Sequence, residues 1–147
     1  MEIERKYLIP KLPDGYMDYP KKEIEQGYLS TAPVVRIRKS NDDYILTYKS
    51  GGLMVREEYN LPLTKASYEH LRQKTDGILI HKVRYHIPYQ DKYTIELDVF
   101  LDTLAPLVMA EVEFESKEEA DSFIPPDWFG EDVTFSPKYH NSALSHQ

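Results

Sequence analysis

Apolar and polar residues alternate with a period of two along much of the chain, which is typical of β-strands that have one apolar and one polar face. In residues 2–9, apolar positions alternate with the charged residues Glu2, Glu4 and Lys6. Further segments of this kind follow, each bounded by turn-forming residues. The pattern predicts eight strands, at residues 2–9, 22–30, 34–40, 44–50, 54–63, 78–87, 93–101 and 106–116.

Helical signals are confined to three short segments. Thr64 can cap a helix over residues 64–75, and "SKEE" at 116–119 matches a capping box that opens a helix ending at Pro125. The residues around 139–144 are also predicted to be helical. Helices of this length are expected to lie outside a structure made mainly of strands.

The connections between the predicted strands are mostly short, which favours antiparallel neighbours. Eight strands can close into a barrel with room for side chains or one small ligand. We therefore predict a mainly β (α+β) protein, a closed eight-stranded antiparallel β-barrel with a few short outer helices. No repeat or low-complexity segment divides the chain, so residues 1–147 are predicted to form a single domain.

Composition narrows the possible functions. The chain has 147 residues, 41% of them hydrophobic, and lacks cysteine, which excludes disulfides, thiolate catalysis and cysteine-ligated metals. A net charge of −7 argues against a general nucleic-acid-binding protein. No apolar run approaches membrane-spanning length and the acidic N-terminus is unlike a signal peptide, so we expect no membrane association and a cytoplasmic location.

The polar faces of the strands carry an unusual number of arginines and paired acids. A face exposed to solvent could have this pattern, but so could a shared charged interior, and the alternation alone leaves both open. Beyond the opening strand, the charged positions are Arg36 with Arg38, Lys49, Arg56 with Glu58, Lys82 with Arg84, Glu96 with Asp98, and Glu111 with Glu113.

An interior of this kind would need counterions. Two like charges about 4 Å apart repel by on the order of 4 kcal/mol at an effective dielectric constant near 20. Mg²⁺ or Mn²⁺ would neutralise clustered carboxylates, and arginines are suited to binding an oxyanion. A linear triphosphate carries roughly four to five negative charges and could satisfy both the basic residues and the metal.

These residues, in this order, resemble the CYTH superfamily, also called the triphosphate tunnel metalloenzymes. "EIERK" matches its N-terminal E-x-E-x-K signature, and further blocks extend over nearly the whole chain. Those blocks are "QGYL", "RIR", "TYK", "VREE", "KVRY", "ELDVF", "EVEF" and "FIPPDWFGEDVT". The resemblance implies that the barrel lumen is a charged tunnel in which triphosphate compounds are cleaved or converted with a divalent metal.

The resemblance also implies roles for individual residues. The acids on the metal side would be Glu2, Glu4, Asp98, Glu111 and Glu113, with Glu58 and Glu96 close to them. The phosphate contacts would be Arg36, Arg38, Lys49, Arg56, Lys82 and Arg84. Lys6 and Tyr28 match a pair that orients or deprotonates the attacking water, and we expect neighbouring cations to lower the pKa of Lys6.

The chain departs from the family pattern at two places. His140 stands in "YHN" where relatives have lysine, and an acid usual a few residues earlier is replaced around Phe135 and Ser136. Asn60 stands where an acid is common. His140 could supply a switchable positive charge or be an ordinary surface histidine.

The favoured function is metal-dependent hydrolysis of inorganic tripolyphosphate to pyrophosphate and phosphate, because phosphoryl transfer requires mainly positioning and charge neutralisation. The alternatives are a class IV-type adenylate cyclase, a thiamine triphosphatase and a polyphosphate-binding module without catalysis. The expected partner is a small-molecule triphosphate, and a homodimer is left open.

Overall fold

The computed structural model describes residues 1–52 and 54–146 and contains nine strands in one nearly closed antiparallel barrel. The strands are β1 (Glu2–Leu8), β2 (Lys21–Thr31), β3 (Val34–Ser40), β4 (Asp43–Lys49), β5 (Val55–Arg56), β6 (Glu58–Pro62), β7 (Asp76–Tyr89), β8 (Tyr93–Phe100) and β9 (Val108–Glu113). Their order is β5-β1-β9-β8-β7-β2-β3-β4-β6. The predicted fold class and antiparallel pairing are confirmed.

The ninth strand arises because the predicted strand 54–63 is divided at Glu57. Its first part, β5, pairs with β1, and its second part, β6, pairs with β4. At the division, the Glu57 amide donates to Ser50 Oγ at 2.8 Å, and the Ser50 amide donates to the Glu57 carbonyl at 3.0 Å. Residues 55–62 therefore join the two edges of the sheet and bring the barrel close to closure.

Two short α-helices, α1 (Lys65–Arg72) and α2 (Lys117–Ser122), lie outside the barrel, and a third, α3 (Asn141–Leu144), lies at one end of it. Thr64 caps α1, as predicted, by accepting from the Ser67 amide. Ser116 likewise caps α2, but this helix ends at Ser122, before the prolines. Single 3₁₀ turns occupy Tyr16–Asp18, Asp102–Leu104 and Pro137–Tyr139. None of these helices is long and apolar enough to cross a membrane, in the part of the chain described.

The main hydrophobic core lies on the outer surface of the barrel wall. Apolar residues of β1, β7, β8 and β9 pack there against α2 and the segment that follows it, with Phe123 contacting Tyr7, Tyr93 and Phe114. Since alternate residues of a strand point to opposite faces, the charged residues of the same strands point into the lumen. The outward core thus determines which side chains line the interior.

A second apolar cluster fills one end of the lumen. Phe100 and Met109 belong to it, together with Val133 and Leu144 from the C-terminal segment. That segment is fixed to the start of β7, where the Ile78 amide donates to the Ser145 carbonyl at 2.6 Å. The C-terminal segment therefore forms part of the wall at this end.

Gly77 allows this attachment, and we predict that Gly77→Ala destabilises the protein. Gly77 has a φ of +68°, and a Cβ atom there would lie 2.1 Å from the Ser145 carbonyl oxygen. A strained backbone of this kind costs roughly 1–3 kcal/mol. Thermal unfolding measures the effect, and Gly51→Ala is the control because a Cβ at Gly51 would meet nothing within 4 Å. Equal stability of the two variants would contradict the prediction.

Candidate functional site

The lumen contains a cavity of about 350 Å³ with a strongly polar wall. All the predicted site residues line it except Lys82 and Asp98, which confirms that the charged faces point to a common interior. The predicted residues in the wall are Glu2, Glu4, Lys6, Tyr28, Arg36, Arg38, Lys49, Arg56, Glu58, Arg84, Glu96, Glu111 and Glu113. A face open to solvent, the alternative for this pattern, is not what these strands form.

Lys82 and Asp98 form a buried ionic cluster with Arg84. Asp98 Oδ1 accepts from Arg84 Nε at 2.7 Å, while Oδ2 accepts from Arg84 Nη2 and from Lys82 Nζ, both at 2.8 Å. Burial favours the neutral acid, but the Arg84 and Lys82 charges hold the pKa of Asp98 below its ordinary value. In this geometry Asp98 positions two cations. The metal-binding role of Asp98 and the phosphate-binding role of Lys82 stay predictions.

Arg84 is tied to the acidic side of the cavity. Besides Asp98, it donates to Glu96 at 3.1 Å and to Glu111 at 3.4 Å. Lys49 is similarly paired with Glu2 at 2.9 Å. The predicted phosphate-binding residues therefore fall into two groups, one that lies in hydrogen-bond contact with carboxyl groups and one that does not.

The second group consists of Arg36, Arg38 and Arg56, which make no ion pair with the residues described. Their hydrogen bonds go to neutral groups: Arg38 Nε to Gln26 at 2.8 Å, Arg36 to Thr47 at 3.3 Å, and Arg56 to the Ser50 carbonyl at 3.4 Å. Burial, with Arg36 and Arg84 nearby, lowers the pKa of Arg38 to about 9. A pKa of this size leaves the guanidinium charged at neutral pH, so this side of the cavity has positive charge in excess.

Carboxylates on the other side are crowded. Burial and the neighbouring Glu4 raise the pKa of Glu2 to about 8, and burial and Glu111 raise that of Glu4. Burial and the nearby Glu96 also raise the pKa of Glu113. These three acids resist ionisation because they are buried beside other acids, whereas Lys6 and Arg84 hold the pKa of Glu111 below its ordinary value. A divalent cation would relieve the repulsion among the three.

The acids fit a metal that is only partly coordinated by protein. No group of three or more acidic or imidazole side chains converges into a ready-made ligand set in the described part of the chain. Mg²⁺ in phosphate-processing sites is usually held by one or two carboxylates, with water and substrate oxygens completing the shell. Glu4 and Glu113, which are directly opposite each other on β1 and β9, are suited to this.

The pKa of Lys6 differs from the expectation. Its Nζ lies 3.8 Å from Glu4 and 3.7 Å from Glu111. Burial disfavours the charged amine, but Glu111 and Glu4 together raise the pKa of Lys6 above its ordinary value. The expected lowering by neighbouring cations was wrong because carboxylates are its nearest charged groups. The roles of Lys6 and Tyr28 towards the attacking water stay predictions.

A model of the CYTH domain matches residues 1–146. The chain belongs to the CYTH family. It is 41% identical to an inorganic triphosphatase of Nitrosomonas europaea over 147 residues, covering 98% of this chain and 96% of that protein. It is 35% identical to an inorganic triphosphatase of Acetivibrio thermocellus, covering 97% and 92% of the two chains.

Solved structures agree with this family assignment. The crystal structure of the inorganic triphosphatase NE1496 superposes on this CYTH chain with a TM-score of 0.75 and 39% identity, covering 100% of this chain and 95% of the other. The nearly closed antiparallel barrel is therefore the CYTH tunnel fold.

Several cavity residues of this CYTH domain were not predicted as part of the site. Val34, Asn141 and Ser142 line the wall together with His140 and Asn60, which had been noted only as departures from the family pattern. His140 is 6% exposed, so it is not a surface histidine. Residues 140–142 reach the cavity because the C-terminal segment packs against the barrel end, a contact that strand periodicity does not reveal.

The buried cluster in this CYTH barrel predicts a large effect for Asp98→Ala. Removing one member of a buried ion pair typically costs about 3–5 kcal/mol, because the remaining charges stay buried without a partner. The control is Glu119→Ala, which breaks the more exposed Lys92–Glu119 pair of 3.0 Å and should reduce stability far less, because water screens this pair. Chemical denaturation compares the two. If Asp98→Ala lost metal affinity but no stability, Asp98 would be a metal ligand instead.

Proposed function

We propose that this protein hydrolyses inorganic tripolyphosphate to pyrophosphate and orthophosphate, with Mg²⁺ or Mn²⁺. The observation that carries the proposal is the charge imbalance inside one cavity. Arg36, Arg38 and Arg56 have no acidic partner among the residues described, while carboxylates such as Glu4 on the other side lack sufficient cations. A polyphosphate with a divalent metal supplies both missing charges.

The cavity wall supports a substrate made of phosphate alone. Among residues 1–52 and 54–146, the apolar side chains that line the cavity, apart from the Tyr28 ring, are Met1 and Val34. A nucleoside or a thiamine ring would need more apolar contact than these residues supply. The relatives named inorganic triphosphatase, at 41% and 35% identity, support the same substrate.

Each part of the chain contributes to the reaction by position and charge. Arg36, Arg38 and Arg56 hold phosphate oxygens, and Asp98 keeps Arg84 in place beside them. Lys6 stays protonated between its two carboxylates, so it donates hydrogen bonds to the phosphate or its water and does not act as a free base. The metal, held by Glu4 and Glu113 with the neighbouring acids, would neutralise the charge that develops on the transferred phosphoryl group. A cytoplasmic location and a homodimer stay predictions from the sequence.

Phosphate release from tripolyphosphate, ATP and thiamine triphosphate, measured in parallel, tests the proposal. We expect fast release from tripolyphosphate with Mg²⁺ or Mn²⁺, none with chelator, and none in Glu4→Gln, which removes one metal-side charge. The control is Glu57→Gln, since Glu57 is exposed at the division between β5 and β6.

Other outcomes identify the alternatives. Cyclic AMP formed from ATP would indicate a cyclase, and preferred hydrolysis of thiamine triphosphate would change the substrate. Tight binding of tripolyphosphate without turnover in either metal would leave a binding module. Full activity of Glu4→Gln would refute the assignment of Glu4 to the metal.

Arg38→Ala should raise KM for tripolyphosphate more than it lowers kcat, because the guanidinium binds charge that is present before the reaction as well as during it. A charge-assisted hydrogen bond is worth about 1.5–3 kcal/mol, so we expect KM to rise roughly tenfold or more. The control is Lys39→Ala, which removes the next cation along β3 but from the outer face. Equal effects of the two variants on KM would refute the phosphate contact.

A further inference from the structure

His140 is a buried imidazole whose two nitrogens have different surroundings. Nε2 lies 3.3 Å from the carbonyl oxygen of Thr134. Because a carbonyl oxygen only accepts, Nε2 must carry the hydrogen, and the neutral ring then has a bare lone pair on Nδ1. Nδ1 makes no hydrogen bond to the residues described, and the ring lines the cavity.

Backbone hydrogen bonds hold the main chain of His140 at the barrel end. The His140 carbonyl accepts from the amides of Ala143 and Leu144 at 3.0 and 2.9 Å, and Leu144 is part of the apolar cluster at the barrel end. The main chain of His140 is therefore held at the barrel end, and the contact of Nε2 with the Thr134 carbonyl orients the ring.

Charges around the ring keep it neutral in the absence of substrate. Burial, with Lys6 on β1 and Arg56 on β5, lowers the pKa of His140 to about 4, while the Thr134 carbonyl and Glu111 on β9 act in the opposite direction. No carboxylate forms an ion pair with the ring within residues 1–52 and 54–146. At neutral pH, Nδ1 of this cavity-lining residue is therefore a hydrogen-bond acceptor and not a donor.

A phosphate oxygen is also an acceptor, so the free ring and the proposed substrate do not match. A polyanion in the cavity would offset the positive charges of Lys6 and Arg56 and would accept a hydrogen bond from an N–H group on Nδ1. Both effects stabilise the protonated ring. Solvent can supply the proton, because His140 also borders an outer cleft of about 210 Å³ near Pro33 and Gly51.

We propose that His140 donates a hydrogen bond from Nδ1 to the bound triphosphate, and that it takes up one proton from solvent when the substrate enters. The inference rests on the proposed function, since it requires a polyanion in this cavity. His140 then adds positive charge to the site only while substrate is present. Substrate binding becomes tighter as the pH falls towards the range in which the imidazole protonates.

The first test counts protons during binding of tripolyphosphate, in chelator at about pH 6, by calorimetry in buffers with different ionisation enthalpies. The wild-type protein should take up more protons than His140→Gln. His140→Lys should match His140→Gln, because lysine is charged before binding. Protons that tripolyphosphate itself takes up or releases are the same for all three proteins, so they cancel in the comparison.

His81→Gln is the control for loss of a histidine, since His81 lies on the outer face beside Glu25 and Asp102. Equal proton counts for wild type and His140→Gln would overturn the proposal.

The second test uses turnover with saturating Mg²⁺. The His140 ring has a higher pKa with substrate bound than without it. Its contribution to substrate binding is therefore present at low pH and is lost as the pH rises through the bound-state pKa. The ratio of KM in His140→Gln to KM in wild type should thus rise on acidification, by at most about tenfold for each pH unit. His140→Lys should show a ratio to His140→Gln that does not vary with pH. A flat ratio for wild type would overturn the proposal.

The two tests separate this inference from the proposed function. Hydrolysis of tripolyphosphate without proton uptake at His140 would refute the inference alone. Binding with proton uptake but no hydrolysis would refute the proposed function alone. Neither binding nor turnover would refute both.

Discussion

Charges that are withdrawn from water must be compensated where they are buried, and this requirement governs the interior of the barrel. The usual arrangement of a small domain is reversed here, because the apolar core packs against the outside of the wall and the ionic groups fill the inside. Because side chains alternate between the two faces of a strand, the outward apolar core and the inward ionic groups occur together. A wall that packs apolar residues outward directs every second, polar residue inward.

Compensation inside the lumen is uneven. Asp98 accepts from both Lys82 and Arg84, and Arg84 also donates to Glu96 and Glu111. Elsewhere in the lumen, arginines without acids face acids without enough cations, and each is fixed to its own strand. The missing charges have to come from solution, as an anion and a cation together. A binding site for a metal–polyphosphate pair is the direct result of that incomplete compensation.

Much of the fold and site could be predicted because period-two alternation reports both strand position and the face of each residue. The depth of a residue along the barrel axis could not be predicted, because it depends on the stagger of neighbouring strands. Asp98 and Glu96 share a strand face, yet only Glu96 reaches the cavity. The division at Glu57 was missed because both halves have strand-like sequence and only the pairing partners differ. The pKa of Lys6 was misjudged because sequence order shows cations nearby but not that Glu4 and Glu111 lie nearest.

The attachment of the C-terminal segment joins parts of the chain that are far apart in sequence. Val133 donates its amide to the Lys6 carbonyl at 2.8 Å, so β1 lies beside residues more than a hundred positions later. Contacts of such long range form slowly because the intervening loop must be closed first. Glu4 on β1 is buried in a lumen whose wall includes β9, which is far away in the sequence, so its carboxylate loses its hydration only after such long-range contacts have formed.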